Sequence, residues 1–336
     1  MGKDRLEDIS KITGYSKSTI SRVLNGKSEI YRISCNARDT ILKVADELNY
    51  KPNLIAQSLR NNVTKTVGLL VPHIDNPFFA NIASIVICEA QKQNYTVMLI
   101  DTLEDPGQEA KALRSLMARN IDGIMVVPCG ENTEELKNIS KQVPIVFIDR
   151  YYKNIDLPYV STNNYDGAYK GTKLLLESGH RKILCIQGPE MYITTKERVR
   201  GYTDAMNEYG NAANICLRGN EFSIRNGYIE TKMALDSPDR PTAIFALSST
   251  ILLGAVKVLN EHHIVIPDDI SIISFDNNLY MDYLNPPITR IAQPLTNIGI
   301  IAFKILMDII LNNSESNSQM LLNPTLIKRE SVKTIL

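Results

Sequence analysis

The chain has no apolar run approaching the roughly 20 residues needed to cross a bilayer. Its start, Met1-Gly2-Lys3-Asp4-Arg5, is charged with no apolar core behind it, unlike a signal peptide. Neither a membrane partner nor export is expected, and the cytoplasm is the expected compartment. Cysteine is sparse: Cys35, Cys88, Cys129, Cys185 and Cys216 are scattered without a CxxC pair. That fits buried free thiols in a reducing compartment, and neither a disulfide framework nor a zinc site. The four histidines have no metal-ligand spacing, and no GxSxG elbow, Walker loop, GxGxxG or HExxH is present. An enzyme is not expected, nor any cofactor, metal or catalytic residue. Net charge is also absent overall, with 37 Lys+Arg against 37 Asp+Glu. It is not absent locally. Residues 1–65 hold 12 Lys+Arg and 7 Asp+Glu, a net of +5, so the remainder holds 25 and 30, a net of −5. A small basic head on an acidic body is the asymmetry expected when only the head meets DNA.

What the head contains supports this. Ser16 can cap a helix that starts at Lys17, because its hydroxyl can accept from an otherwise unpaired backbone N–H. Ile20, Val23 and Leu24 then fall at i, i+3 and i+4 and give one apolar face. Lys17, Ser18, Thr19, Ser21, Arg22 and Asn25 lie elsewhere on the helix, with Ser18 and Arg22 sharing a face. Donors with almost no acid suit base edges and phosphates in a major groove. A shorter amphipathic segment with Leu6, Ile9 and Ile12 precedes it, and Gly14 stands where a tight turn needs positive φ. Helix, glycine turn and capped helix make a helix-turn-helix pattern. An ordinary αα-hairpin has the same spacing, and the charge asymmetry favours the DNA reading. A third helix, capped by Ser34 or Asn36, carries Ile41, Leu42, Val44, Ala45 and Leu48 and ends at Asn49–Asn53, where Pro52 disfavours helix at the residue before it. Leu54–Arg60 offers about two helical turns, too few to be stable alone.

From Thr66 the period changes. Short β-rich apolar runs (67–71, 96–100, 124–127, 145–148) alternate with helical stretches, and the pattern restarts after Thr162 with strands at 183–187, 243–247 and 270–275. Alternation of this kind implies parallel sheets covered on both faces. Two successive α/β halves suggest two lobes with a ligand cleft at the C-terminal ends of the strands. A last long helix, Leu295–Leu311, precedes a Ser/Asn-rich loop.

The residues resemble the LacI/GalR family of bacterial transcription regulators over essentially the whole chain. The resemblance is carried by Gly14–Gly26, Leu48-Asn49-Tyr50-Lys51-Pro52-Asn53, Leu59-Arg60, Asp149-Arg150, Ser178–Ile183, Arg198-x-x-Gly201-Tyr202, Pro267–Ser271 and Ser274-Phe275-Asp276. It implies a helix-turn-helix headpiece over residues 1–52, a hinge helix and linker over 53–65, and a two-lobed, periplasmic-binding-protein-like effector and dimerisation domain over 66–336. It also implies a homodimer on two-fold symmetric operator DNA, and three crossings between lobes near Thr162–Asn163, Ala292–Gln293 and Asn323–Thr325. Tyr50, Asn53 and Leu59 join the DNA-binding set, with Leu59 wedging into the minor groove. Three features depart from the family pattern. The loop Ser28–Ile33 is longer and contains Tyr31 and Arg32, whose cation either touches phosphate or, the favoured reading, is solvated. Ser10 and Thr13 replace customary alanines, which should loosen the head's small core. Ser248-Ser249 stands where Asn-Asp usually bonds ligand hydroxyls, which points away from a typical hexose.

The expected effector is a small molecule, a sugar or sugar derivative. Asp75, Phe78 and Phe79 lie at the start of a helix, where backbone N–H groups face a ligand. The two aromatics serve equally as core. Asp149 and Arg150 follow a buried strand and face the cleft, with an ion pair between lobes as the alternative. Arg198 carries a fork of donors suited to vicinal hydroxyls or a carboxylate. Ser248, Asp276 and Gln293 complete the effector set, while His180 reads as structural. A transport solute-binding protein would share the body but has no use for a basic head, and a sugar kinase would need a phosphate loop. Residues 1–60 therefore favour a ligand-controlled DNA-binding regulator, most often a repressor.

Overall fold

The computed structural model describes residues 5–50, 63–130, 133–209, 211–312 and 317–335. The chain divides into two compact units, Met1–Thr64 and Lys65–Leu336.

In the first unit α1 (Arg5–Thr13), α2 (Lys17–Leu24) and α3 (Cys35–Glu47) pack around Ile9, Ile20, Val23, Ile41, Val44 and Ala45. Ser16 and Ser34 cap the second and third helices, accepting from Thr19 N and Ala37 N. Gly14 has φ +74°, the left-handed geometry the turn requires. Ile12 and Leu42, expected inside, are 60 % and 44 % exposed, because so small a core has room for one stripe per helix. The Ser10 and Thr13 hydroxyls do not sit unpaired in that core. They donate to Tyr15 O and Ile9 O at 2.7 Å each and brace the turn. Cys35 and Cys88 are exposed, contrary to the expectation of buried thiols.

The second unit carries two six-stranded sheets. The chain runs β1 (Thr66–Val71), α4 (Pro77–Lys92), β2 (Thr96–Asp101), α5 (Pro106–Met117), β3 (Gly123–Val126), α6 (Thr133–Ser140), β4 (Ile145–Ile148) and β5 (Tyr159–Thr162). It crosses to the second lobe with α7 (Asn164–Glu177), β6 (Ile183–Ile186), α8 (Ile193–Glu208), β7 (Ile215–Arg218), α9 (Ile224–Leu235), β8 (Ala243–Ala246), α10 (Ser249–Glu261), β9 (Ser271–Phe275) and β10 (Thr289–Ala292). Helix α11 (Leu295–Asn312) returns to the first lobe, followed by β11 (Gln319–Leu322) there and β12 (Thr325–Ile327) in the second. The orders are β11-β5-β4-β3-β1-β2 and β12-β10-β9-β8-β6-β7, so the three crossings occur where the family resemblance implies them. All described pairings are parallel except β10 with β12. Buried apolar residues cover both faces of each sheet, which explains the near-continuous apolar strands. Helix α11 is the one helix among the described residues long and apolar enough to span a bilayer. It serves as core instead, burying Ile298, Ala302, Phe303, Leu306 and Met307 in the first lobe.

Five strands escaped the sequence reading: β5 is only four residues long, Tyr159–Thr162. β7 is a sheet edge without a fully buried residue, β10 carries Arg290 in its centre, and β11 and β12 are short edge strands after the polar loop.

Candidate functional site

The C-terminal ends of the strands in the second unit converge on one pocket of about 460 Å³ of empty volume, part of it open to solvent. His73 and Asn76 reach it from the β1–α4 connection, Phe78 and Phe79 from the first turn of α4, and Glu104 from beyond β2. Asp149 and Arg150 come from beyond β4, and Thr194 and Arg198 from α8. Phe222, Ser248, Asp276 and Gln293 follow β7, β8, β9 and β10. This is the crevice position general to open α/β sheets.

Each group is held from behind. Arg198 is buried; its Nε donates to Asn164 Oδ1 at 2.7 Å and its Nη1 to Leu247 O at 2.6 Å, while its plane lies 4.0 Å from the Phe275 ring centroid. Helix α8 can approach α7 this closely because Gly201 has no side chain; a Cβ there would come within 2.9 Å of Tyr169 N. Asp276, at φ +79°, accepts from Ser249 N at 2.8 Å and from Gln293 Nε2 at 2.7 Å. Gln293 Oε1 in turn accepts from Thr162 Oγ1 at 2.7 Å, so two of the lobe crossings are tied to a pocket carboxylate.

Asp149 and Arg150 differ from this pattern. Both are buried. Arg150 pairs within its own lobe, Nη2 lying 2.7 Å from Glu104 Oε1, so the anticipated ion pair between lobes is not what holds it. Across the cleft its guanidinium carbon sits over the Tyr192 ring of the second lobe, 3.6 Å from the centroid. Among the described residues its Nε and Nη1, and Asp149 Oδ1, have no hydrogen-bond partner. Burial pushes the Asp149 carboxyl up to about 6; the Arg198 and Arg150 charges only partly oppose this, and Asp276 reinforces it. Asp149 takes φ +64°, a strained backbone of the kind that clusters at ligand sites.

Of the expected effector residues, Phe78, Phe79, Asp149, Arg150, Arg198, Ser248, Asp276 and Gln293 line the pocket. Asp75 does not; it is exposed. The chain enters α4 one residue later, and Asn76 takes both the capping and the inward position, accepting from Phe78 N at 3.0 Å. The Ser248 hydroxyl is engaged as the cap of α10, accepting from Ile251 N at 3.2 Å. His73, Asn76, Glu104, Thr194 and Phe222 were missed. His73, Asn76, Glu104 and Phe222 lie in the loops and caps beyond strand ends and Thr194 in the first turn of α8, and with β7 unrecognised Phe222 had no strand to follow. His180 is structural: its ring nitrogens lie 3.0 Å from Thr242 Oγ1 and 3.1 Å from Lys333 O, pinning the C-terminal segment.

In the first unit the recognition-helix candidates have unequal reach. Lys17 Nζ turns back to Glu7 at 3.2 Å, which holds that carboxyl below its usual value. Ser16 is spent on its cap, and Asn25 Nδ2 donates to Ser21 O at 2.6 Å. Ser18 and Arg22 are exposed on one face, and Tyr50 packs on the small core. Asn53 and Leu59 lie outside the described residues.

Residues 5–53 match the family model described as bacterial regulatory proteins, lacI family. Residues 64–330 match that of periplasmic binding proteins and the sugar binding domain of the LacI family. The chain is 32 % identical over 335 residues to the HTH-type transcriptional repressor PurR of Vibrio atlanticus, covering 98 % of this chain and 99 % of that one. It is 32 % identical over 332 residues to the ribose operon repressor of Haemophilus influenzae, with 98 % and 99 % covered. Among solved structures, a LacI family regulator from Enterococcus faecium with bound ribose superposes with a TM-score of 0.74 at 28 % identity, over 81 % of this chain and all of that one. The lac repressor dimer bound to operator and the anti-inducer ONPF shares the fold, with a TM-score of 0.88 at 22 % identity and 98 % of each chain covered.

Proposed function

Because the chain belongs to the LacI family of bacterial regulatory proteins, we infer that it is a DNA-binding transcriptional repressor whose operator affinity is set by a sugar held in the pocket between its lobes. The observation that carries the ligand reading is the set of unmet bonds at Asp149 and Arg150. Among the described residues two buried acceptors, Asp149 Oδ1 and the Glu104 Oε1 that faces Arg150 Nη2, stand beside two buried donors, Arg150 Nε and Nη1. A hydroxyl is both donor and acceptor, so a vicinal diol satisfies this set, while an apolar ring or a bare anion does not. The phenylalanines supply the apolar faces on which a sugar ring packs. Charge narrows the class further. Two guanidinium groups face three carboxylates, Glu104, Asp149 and Asp276, so a phosphorylated or acidic sugar would bring negative charge into a site already holding a surplus of it. A neutral sugar of the pentose class fits best, in keeping with the ribose-bound relative and the ribose operon repressor.

The repressor acts as a homodimer on a two-fold site, one recognition helix in each major-groove half-site. Function in the cytoplasm, where the DNA is, follows. Residues 1–52 form the headpiece, 53–65 the hinge and linker, and 66–336 the effector domain. Leu59, in the hinge, is the residue we assign to the minor groove.

Calorimetry on the full chain with ribose, arabinose, glucose and ribose 5-phosphate tests the reading. Ribose or another free pentose is expected to bind at one site per chain, and Arg198→Ala to abolish the response while leaving operator affinity without effector intact. Binding by ribose 5-phosphate alone, or by none of the four, removes the assignment of a neutral sugar.

A further inference from the structure

The longer loop after α2 has no role in the reading above, yet it touches the recognition helix at one point. The Arg22 guanidinium carbon sits over the Tyr31 ring, 4.0 Å from its centroid. The loop is closed on itself. Lys27 N donates to Arg22 O at 2.9 Å, Tyr31 N to Lys27 O at 3.2 Å and Ile33 N to Ser28 O at 2.9 Å. Ser28 is buried and Ile33 packs on the headpiece core, so both ends of the loop are anchored. Among the described residues Arg22 has no hydrogen bond or ion pair to hold its head, and both it and Tyr31 are exposed. The ring occupies one side of the guanidinium, whose N–H groups have no hydrogen-bond partner among the described residues.

We propose that Tyr31 is a positioning residue for DNA reading: stacked on Arg22, it fixes the plane of the guanidinium so that the loop Ser28–Ile33 sets the base preference of the recognition helix. The proposal rests on the DNA-binding reading of the headpiece. Bidentate recognition of a guanine needs two N–H groups in the plane of the base. An unrestrained arginine reaches that plane only after giving up rotamer freedom. Here the tyrosine restrains it before DNA arrives. The closed loop, anchored at Ser28 and Ile33, is what brings an aromatic ring to that place.

The test uses full-length protein and a duplex that the parent enriches from a randomised double-stranded library. Variants of that duplex substituted at single base pairs, and one unrelated duplex, complete the set. Arg22→Ala should weaken the enriched site and lose discrimination at one base pair. Tyr31→Ala should weaken the same site by about two- to five-fold, the scale of an exposed cation–π contact, and blur discrimination at that same base pair. It should leave the unrelated duplex unaffected and add nothing in the Arg22→Ala background. Tyr31→Phe keeps the ring and should restore parental binding. Tyr31 is about half exposed, and an unchanged melting temperature of Tyr31→Ala should confirm an intact fold. Parental or tighter binding by Tyr31→Ala overturns the proposal. So does equal weakening on all duplexes, which would make Tyr31 a phosphate contact, and so does failure of Tyr31→Phe. No effect of Arg22→Ala on any duplex would instead refute the recognition-helix assignment itself, and the clamp with it.

Discussion

Asp149 is a buried carboxyl with an unmet acceptor, and its titration should be written into effector affinity. Its carboxyl is raised from 3.8 to about 6 by desolvation, so the ligand-free pocket stores about 3 kcal/mol against the ionised form at neutral pH. A raised carboxyl has a definite sign. The folded state binds more protons than the unfolded between 3.8 and about 6, so the group's contribution to stability is fully present below 3.8 and is lost as pH rises through about 6. The sugar reverses this preference. A hydroxyl donating to Asp149 Oδ1 favours the carboxylate, so binding at acid pH must expel the proton. At pH 5 about nine molecules in ten hold it, and affinity should be roughly tenfold weaker than at pH 7.5. Calorimetry with ribose in two buffers of different ionisation enthalpy, at pH 5.0 and 7.5, checks both numbers. Release of about 0.9 proton per site is expected at pH 5 and almost none at pH 7.5. Asp149→Asn should flatten the profile. A Kd that is unchanged between the two pH values, with no proton released at either, would refute the reasoning.

Other expectations follow from the same geometry. Glu104→Gln removes the third pocket carboxylate, and calorimetry should show ribose 5-phosphate binding at least several-fold more tightly than to the parent; no gain would mean that charge balance does not set the choice. Gly201→Ala places a methyl against α7 backbone and should cost about 1–3 kcal/mol, read as a lower melting temperature. His180 is held below its ordinary value by burial, so its contribution to stability is present above 6.5 and is lost as pH falls from there through its folded value. Thermal unfolding of His180→Gln should lack that component. Asp282 is lowered to about 2 by Arg290 and Arg329, so its contribution is present above 3.8 and is lost as pH falls through about 2; Asp282→Asn should lack this acid-side dependence.

Most of the pocket was legible because its residues stand at strand ends, and strand ends are visible as the stop of an apolar run. Asp149-Arg150 after Ile145–Ile148 and Asp276 after Phe275 are of this kind. What stayed hidden depends on pairing rather than period. Glu104 is the third residue of a loop, and its place is fixed by Leu103 and Glu104 themselves, both at positive φ, and by Asp101 accepting from Leu103 N at 2.9 Å. No local pattern announces that turn. The recognition helix shows the reverse case. Its cap and apolar stripe were plain, but Lys17 and Asn25 were read as outward donors when one returns to Glu7 and the other to Ser21 O. Periodicity says which side of a helix faces solvent. It does not say which polar groups on that side are already engaged.

The most consequential hidden bonds join the pocket to the path of the chain. Asp276 meets Gln293, which stands at the second crossing between lobes, and Gln293 meets Thr162, which stands at the first. Arg150 of one lobe stacks on Tyr192 of the other, and Lys153 pairs with Glu197 across the same boundary at 3.0 Å. A ligand that engages Asp149 and Arg150 from one lobe and Arg198 and Asp276 from the other therefore binds at the groups that set the lobes' mutual position. It can shift a lobe equilibrium only by as much as it binds one position better than the other. The unmet bonds of Asp149 and Arg150 lie on one side of the cleft while the Asp276–Gln293–Thr162 chain is already satisfied. Differential affinity must accordingly come from bringing the second lobe onto a sugar already seated on the first. Substitution on the first lobe should then weaken binding itself, whereas Arg198→Ala should uncouple binding from the change in DNA affinity. Equal loss of sugar affinity in Arg150→Ala and Arg198→Ala, with the DNA response intact in whatever binding remains, would contradict that order.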